Sequence, residues 1–383
     1  MRRGVGFYIG TPLQLAIGRN PSLLVTSDRL YLDHAATTPV LPEAREAMAH
    51  ALETWANPSS PHADGRQARA ALEEARRTIA GALGWRHDVI LTSGASEAIQ
   101  IVAARAKVER RIFGPTEHDA VVAAMGEDAE LLAVDTSGIV DLAELEQMLA
   151  GSPALVALQL VNNETGVIQP IDRIYQLVRG AGSLLLCDGA QAAGKLPLPD
   201  ADFIAISGHK FGGPPGAGAL LVKDVGTLQP SGGQERGYRR GTENLPAACA
   251  IAAALENRAF AEAMPQLQSL RAKLEEEIVK SGGVVIAANG TRIATIGAYA
   301  MPGIASSSQL VQLDLAGISV SAGSACSSGS MKPSRVLAAM AVPEEIASSV
   351  IRVSFGPSTS EADIARFVAE WRKIASRGKA QAA

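Results

Sequence analysis

Short apolar runs alternate with stretches of helical periodicity along most of this 383-residue chain, and that alternation limits the fold more than any other feature. The runs at Val89–Leu91, Leu131–Val134, Leu155–Leu160, Leu184–Asp188, Phe203–Ser207 and Ala219–Val222 have strand length. Between several of them lie segments long enough for crossover helices. Apolar residues at Ala68, Ala71, Leu72, Ala75, Ile79 and Leu83 recur at helical spacing, and Gly84 closes that helix. Strand, helix and strand in this order specify an α/β protein with a largely parallel sheet. The pattern predicts a large domain over residues 41–259. From Phe260 a charged helix (Leu267–Val279) opens a smaller α+β unit, with strands at Thr295–Ala300, Ile318–Val320 and Ile351–Ser354. Residues 1–40 and 260–383 are assigned to this second domain, and Ser376–Ala383 reads as a low-complexity tail.

Composition excludes several classes of function. With 47% apolar and 19% charged residues the chain is a soluble globular protein, and a net charge of −4 with both signs interspersed leaves no basic footprint for nucleic acid. No apolar run approaches the roughly 20 residues of a membrane helix. Arg2 and Arg3 are followed by Gly4, Gly6, Gly10, Pro12 and Gly18 rather than by an apolar core, so a cytoplasmic protein is expected. Three cysteines make no disulfide framework. Cys187, ending an apolar run, and Cys249, among alanines, read as buried and inert. Cys326 stands among glycines and serines in Ser321–Ser330, the setting of a reacting thiol.

The candidate chemistry lies at the ends of the strands. Asp188 ends one apolar run, and Lys210 follows 22 residues later within Ser207-Gly208-His209-Lys210. A lysine that forms a Schiff base and a carboxylate that keeps a pyridine nitrogen protonated are what pyridoxal phosphate requires. The turn Ser93-Gly94-Ala95-Ser96-Glu97 offers helix-start amides and the Ser96 hydroxyl to a phosphate, although serine there is equally an N-cap. Ser207 and His209 would add donors. His118 suits a ring lying over a cofactor and exchanging protons, or a plain surface histidine. Asn163 follows a strong strand, at the edge where open α/β sheets bind ligands, although the adjacent Asn162 and Asn163 can equally make a simple turn. Arg352, inside an apolar run, needs an anion: a substrate carboxylate or a structural partner.

These residues carry a resemblance to the pyridoxal-phosphate-dependent cysteine desulfurases of the NifS/IscS type, within the fold type I, class V aminotransferases. It runs from Tyr31-Leu32-Asp33-His34-Ala35-Ala36-Thr37-Thr38-Pro39 to Ile351-Arg352-Val353-Ser354-Phe355-Gly356. Between these it includes Thr92–Glu97, Glu117-His118, Val161–Glu164, Asp188–Gln191, Ser207–Lys210, Glu235-Arg236-Gly237, Arg240-Gly241-Thr242 and Gly323–Cys326. The resemblance implies a mostly parallel seven-stranded sheet in the large domain. It makes Lys210 the Schiff-base lysine, Asp188 the pyridinium partner, Gln191 a donor to the ring hydroxyl and His118 the stacking, proton-exchanging ring. Ala95, Ser96, Ser207 and His209 would hold the phosphate, with Thr242 reaching it from the other subunit of a homodimer. Asn163 and Arg352 would bind the carboxylate of L-cysteine. Cys326 would take its sulfur as a persulfide and pass it to an acceptor protein such as an iron-sulfur scaffold. No metal is expected in that site.

Four departures accompany the resemblance. Residues 1–29 precede the family's usual start. Gly212-Gly213-Pro214-Pro215 stands where members commonly carry Tyr-Gly-Pro-Lys, and Ser231 replaces one glycine before the Glu-Arg motif. The chain ends without the extension that some members use to dock a scaffold protein. A selenocysteine lyase or an aminotransferase would not need Cys326, and a sulfur-relay scaffold without catalysis would not need Lys210.

Overall fold

The structure, a computed structural model, describes residues 29–53, 55–323 and 334–382, the last five for the backbone only. Cys326, and nearly all of the unmatched N-terminal stretch, lie outside the described residues.

A seven-stranded sheet runs, across its width, Asp88–Thr92, Gly218–Val222, Phe203–Ser207, Leu184–Asp188, Ala154–Gln159, Arg110–Phe113 and Glu130–Leu131. Gly218–Val222 is antiparallel to both neighbours, and the other pairs are parallel. The central strands read as continuous apolar runs because both of their faces are covered. Leu185, Cys187, Ile204 and Ile206 pack to one side with Leu72, Ile79, Ile174 and Ile251 from surrounding helices. Leu186, Phe203, Ala205 and Leu220 face the other, against Ile99, Val102, Val121 and Met125. Cys187 is buried, Cys249 half-buried, and burial pushes both thiols up in pKa, as inert cysteines require.

A second core lies around an antiparallel sheet of Val284–Val285, Ile296–Ala300 and Val350–Ser354. The helices Ala259–Lys280 and Glu361–Ala382 cover it with Leu270, Leu274, Phe367 and Trp371. Leu30–Tyr31 pairs with Ile318–Ser319, and Leu30 and Leu32 enter this core rather than the larger one.

Three expected elements differ from those observed. Only Glu130–Leu131 pairs as a strand, because the Asp135 carboxylate accepts from the amides of Ser137 and Ile139 and folds the chain into a turn closed by one Val134–Val140 bridge. The charged helix begins at Ala259, ahead of Pro265, whose missing N–H removes a single rung. Residues 376–382, read as a tail, continue the last helix to Ala382, since alanine, lysine, arginine and glutamine are strong helix formers.

His34 sits where the two cores meet, edge-on to Tyr31 and Phe260. Its fit is close: a Cβ on Gly356 would fall 2.1 Å from the ring. Burial, then the Lys195 charge, pushes its pKa down to about 4. The unfolded chain takes this proton near pH 6.5 and the folded chain near 4, so folding is opposed increasingly as pH falls through that window. Urea unfolding should therefore show the parent losing about 2 kcal/mol more than a His34→Phe variant between pH 7 and 4.5. Equal losses would contradict a buried neutral ring.

Candidate active site

Gln159, Asp188 and Ser207 end three neighbouring strands at one edge of the main sheet, with Gln159 opposite Asp188. A cavity of about 420 Å³ opens there, within the range of small-molecule sites. Asp188 is buried in its wall, and its Oδ1 accepts from the Ala190 amide at 2.9 Å. Burial raises its pKa against the pull of that amide, His118 and Lys210. A cation set against this carboxylate would restore its charge, so the site fits a protonated pyridine nitrogen.

Lys210 ends the Gly208–Lys210 turn that follows the Phe203–Ser207 strand. Its Nζ donates to the carbonyls of Ala35 at 2.7 Å and Ala36 at 2.8 Å. Gln191 Nε2 donates to the same Ala35 oxygen at 2.8 Å. The amine thus lies on the cavity wall between the sheet edge and the segment leading out of the second core.

Gly94, Ala95 and Ser96 line the cavity where the Asp88–Thr92 strand turns into the Ala95–Arg105 helix. The helix cap is Gly94, so Ser96 lies inside the first turn and is not the N-cap. The first-turn amides have no intrahelical acceptors, which suits a phosphate. Glu97 fixes this turn: although partly buried, it is held below the usual carboxylate range by the Ser93 amide and the Arg239 guanidinium. Ser207 and His209 also line the cavity. His209 Nδ1 lies 3.2 Å from Thr37 Oγ1, and burial followed by the charges of Lys210 and Lys195 pushes its pKa down to about 4, leaving a neutral ring.

His118 caps the Asp119–Met125 helix, its Nδ1 accepting from the Ala120 amide at 3.1 Å. That bond assigns the proton of the neutral ring to Nε2. Asn163 and Arg352 both border the cavity, and Arg352 reaches the Asn163 carbonyl at 3.0 Å and Asp33 at 2.8 Å. The arginine therefore has a structural partner as well as a place at the site, and among the described residues its buried Nε has no hydrogen-bond partner. Gly323, three residues before Cys326, lines the same cavity. Thr242 does not; it lines a neighbouring cavity of about 250 Å³ with Ser93, Gly216 and Arg239. Among the described residues no cluster of His, Cys, Asp and Glu is arranged to hold a metal, and no helix is long and apolar enough to cross a membrane.

Several contributors left no readable signal. The Ala35 and Ala36 carbonyls are backbone groups, invisible in side-chain chemistry. Arg335 donates to the Glu117 carbonyl at 2.7 Å and pairs with Asp119 at 3.1 Å, gripping the residues on both sides of His118. The Gly212 departure has a steric cause: it sits at φ +92°, and a Cβ would fall 2.5 Å from Leu41 Cγ, so no aromatic fits there. Pro215, which replaces the family's lysine, lines the cavity.

The class-V aminotransferase family matches residues 30–367. A cysteine desulfurase of Bradyrhizobium diazoefficiens is 36% identical over 375 residues, covering 92% of this chain and 95% of the relative. Among solved structures, a NifS-like protein from Rickettsia africae superposes with a TM-score of 0.84 at 30% identity, over 90% of this chain and 99% of that one. A complex of SspA with cysteine superposes with a TM-score of 0.73 at 28% identity, over 86% of this chain and all (100%) of the other.

The phosphate turn depends on a close backbone approach. A Cβ on Gly218 would lie 2.4 Å from the Ile206 carbonyl oxygen and 2.6 Å from Gly94 Cα. Gly218→Ala must push the turn off the sheet edge. Titration of apoprotein with pyridoxal phosphate should show affinity reduced at least about tenfold, the effect of losing roughly 1.4 kcal/mol of binding. Unchanged affinity would dissociate this turn from the phosphate.

Proposed function

Because the chain belongs to the class-V aminotransferase family and, within it, to the cysteine desulfurases, we propose that it takes sulfur from L-cysteine, releases L-alanine and holds the sulfur on Cys326 as a persulfide for an acceptor protein. The observation that carries this reading is a single cavity bordered by the Lys210 amine, the buried Asp188 carboxylate, Arg352 and Gly323. The family's cofactor, pyridoxal phosphate, supplies an aldehyde for amines and a ring that withdraws electrons from the substrate Cα.

The chain's residues supply the rest. Asp188 keeps the ring nitrogen protonated, and Gln191 donates to the ring hydroxyl. The amides of Ala95 and Ser96, with Ser96, Ser207 and His209, hold the phosphate. Thr242 of a second copy completes that grip in a homodimer. Arg352 and Asn163 orient the substrate carboxylate, so that the Cα–H bond faces the Lys210 amine, which takes the proton and returns it. His118 would lie over the ring, and it can take the proton of a thiol near it only when its Nδ1 gives up the Ala120 amide.

The thiolate of Cys326 attacks the substrate sulfur. An S–S bond forms as the carbon–sulfur bond breaks, the bonding pair stays on the substrate carbon, and protonation there yields alanine. The balance is cysteine plus enzyme thiol giving alanine plus enzyme persulfide, and no external oxidant is required.

Purified protein with L-cysteine and a thiol reductant should release alanine and sulfide in equal amounts. Cys326→Ser should reduce both at least about a hundredfold, the order expected for loss of a nucleophile, while keeping the visible absorbance of the bound cofactor. Sulfide release at the parental rate from that variant would refute the role of Cys326.

A further inference from the structure

Lys195 has no part in the reaction just described, yet it is a lysine only 4% exposed and close to the cavity. It follows Asp188 and Gln191 in a turn in which its own amide donates to Ala192. Its Nζ lies 3.4 Å from Gln191 Oε1 and 5.0 Å above the Phe260 ring. Gln191 borders the cavity, and the other end of its amide donates to the Ala35 carbonyl that also receives Lys210. An ammonium offers only donors and a carbonyl only lone pairs, so these two neighbours fix the amide in one orientation: oxygen toward Lys195, nitrogen toward Ala35. The second hydrogen of Gln191 Nε2 remains for an acceptor in the cavity.

The electrostatic setting of Lys195 is equally specific. Phe260 faces it from the Ala259–Lys280 helix, His34 from the segment after Leu30–Tyr31, and His209 and Lys210 from the turn after Phe203–Ser207. His34 and His209 are both pushed to about 4 and are neutral at pH 7. Among the described residues, no carboxylate is among the groups acting on Lys195. Burial first, then the Lys210 charge, lowers its pKa to about 7. A buried cation without a counter-ion opposes folding, and an apolar side chain of similar length would fill the space at less cost. Such a lysine beside a cleft marks a functional requirement.

We propose that Lys195 is a positioning residue for the cofactor: it locks Gln191 with an N–H toward the ring hydroxyl of pyridoxal phosphate, and it is the resident positive charge behind the Lys210 side of the loaded site. This rests on the reading of the cavity as the pyridoxal phosphate site. Joining Lys210 to an aldehyde would take away the Lys210 charge, the second cause that depresses Lys195, and so favours its protonated form, while burial, the first cause, still opposes it. Its charge then opposes any further proton on the bound cofactor.

The test is a spectrophotometric pH titration of the reconstituted protein without substrate. In Lys195→Met the midpoint of the visible band should rise by about one pH unit, the size of a like-charge interaction through partly buried surroundings. Lys195→Arg, which keeps the charge, should stay close to the parent. If the methionine variant does not retain cofactor, Lys195→Gln, which keeps a donor to Gln191 without a charge, serves the same comparison and should show the same rise. Midpoints equal to the parent's in the uncharged variants would overturn the role of Lys195 and leave the site reading intact. A parent that takes up no coloured cofactor would overturn the site reading itself.

Discussion

The segment Asp33–Thr38 is the seam on which the site depends. On one side Asp33 pairs with Arg352 and bridges to Ser354, and the Ala35 amide donates to Ser354 Oγ at 2.9 Å, all within the smaller core. On the other side the carbonyls of Ala35 and Ala36 take Lys210, Thr37 meets His209, and the Thr38 amide donates to the His209 carbonyl at 2.8 Å. Six residues thus carry the position of a strand in one core to the lysine turn of the other. Slippage of either core would shift the amine against Asp188, which the main sheet alone positions. A site assembled on rigid elements and joined by backbone carbonyls keeps its geometry without relying on flexible side chains.

The charge balance of the cavity follows from the same construction. Burial raises Asp188 and the fully enclosed Glu117, and it lowers Lys195 and His209. Each of these groups is biased toward neutrality by desolvation, which penalises the charged form whatever its sign. A bound group that brings both a cation and an anion reverses that bias, the cation at Asp188 and the anion at the turn opening the Ala95–Arg105 helix. Restoring charge to Asp188 contributes to binding, and the family's cofactor carries both charges, a pyridinium nitrogen in its ring and a phosphate on a side arm.

How much of this was readable depended on where the physical signal resided. The strands Leu184–Asp188 and Phe203–Ser207 were legible to the residue, because a strand covered on both faces needs an uninterrupted apolar run and a charged or polar residue at its end breaks it abruptly. The same contrast singled out Asp188, and Lys210 stood out among small residues. Glu130–Leu131 was overextended because an apolar run does not reveal that Asp135 will draw its amides into a turn. The Ala35 and Ala36 carbonyls carry no side-chain signature. Lys195 looks like any surface lysine until the fold encloses it, and Gly212 is explained only by Leu41, a residue distant in sequence.

Glu164 shows how chain connectivity adds to what the cavity walls provide. Its carboxylate is buried, and that burial raises its pKa although Ser334 Oγ donates to it at 2.6 Å. Gly323 approaches the same oxygen so closely that a Cβ would lie 2.4 Å away. The chain therefore leaves the described structure at Gly323 and re-enters at Ser334 against one carboxylate beside Asn163, and Arg335 then ties the returning strand of chain to Glu117 and Asp119 around His118. The carboxylate that meets both Gly323 and Ser334 and the arginine that grips the His118 peptides thus tie the two flanks to the elements that carry Asn163 and His118.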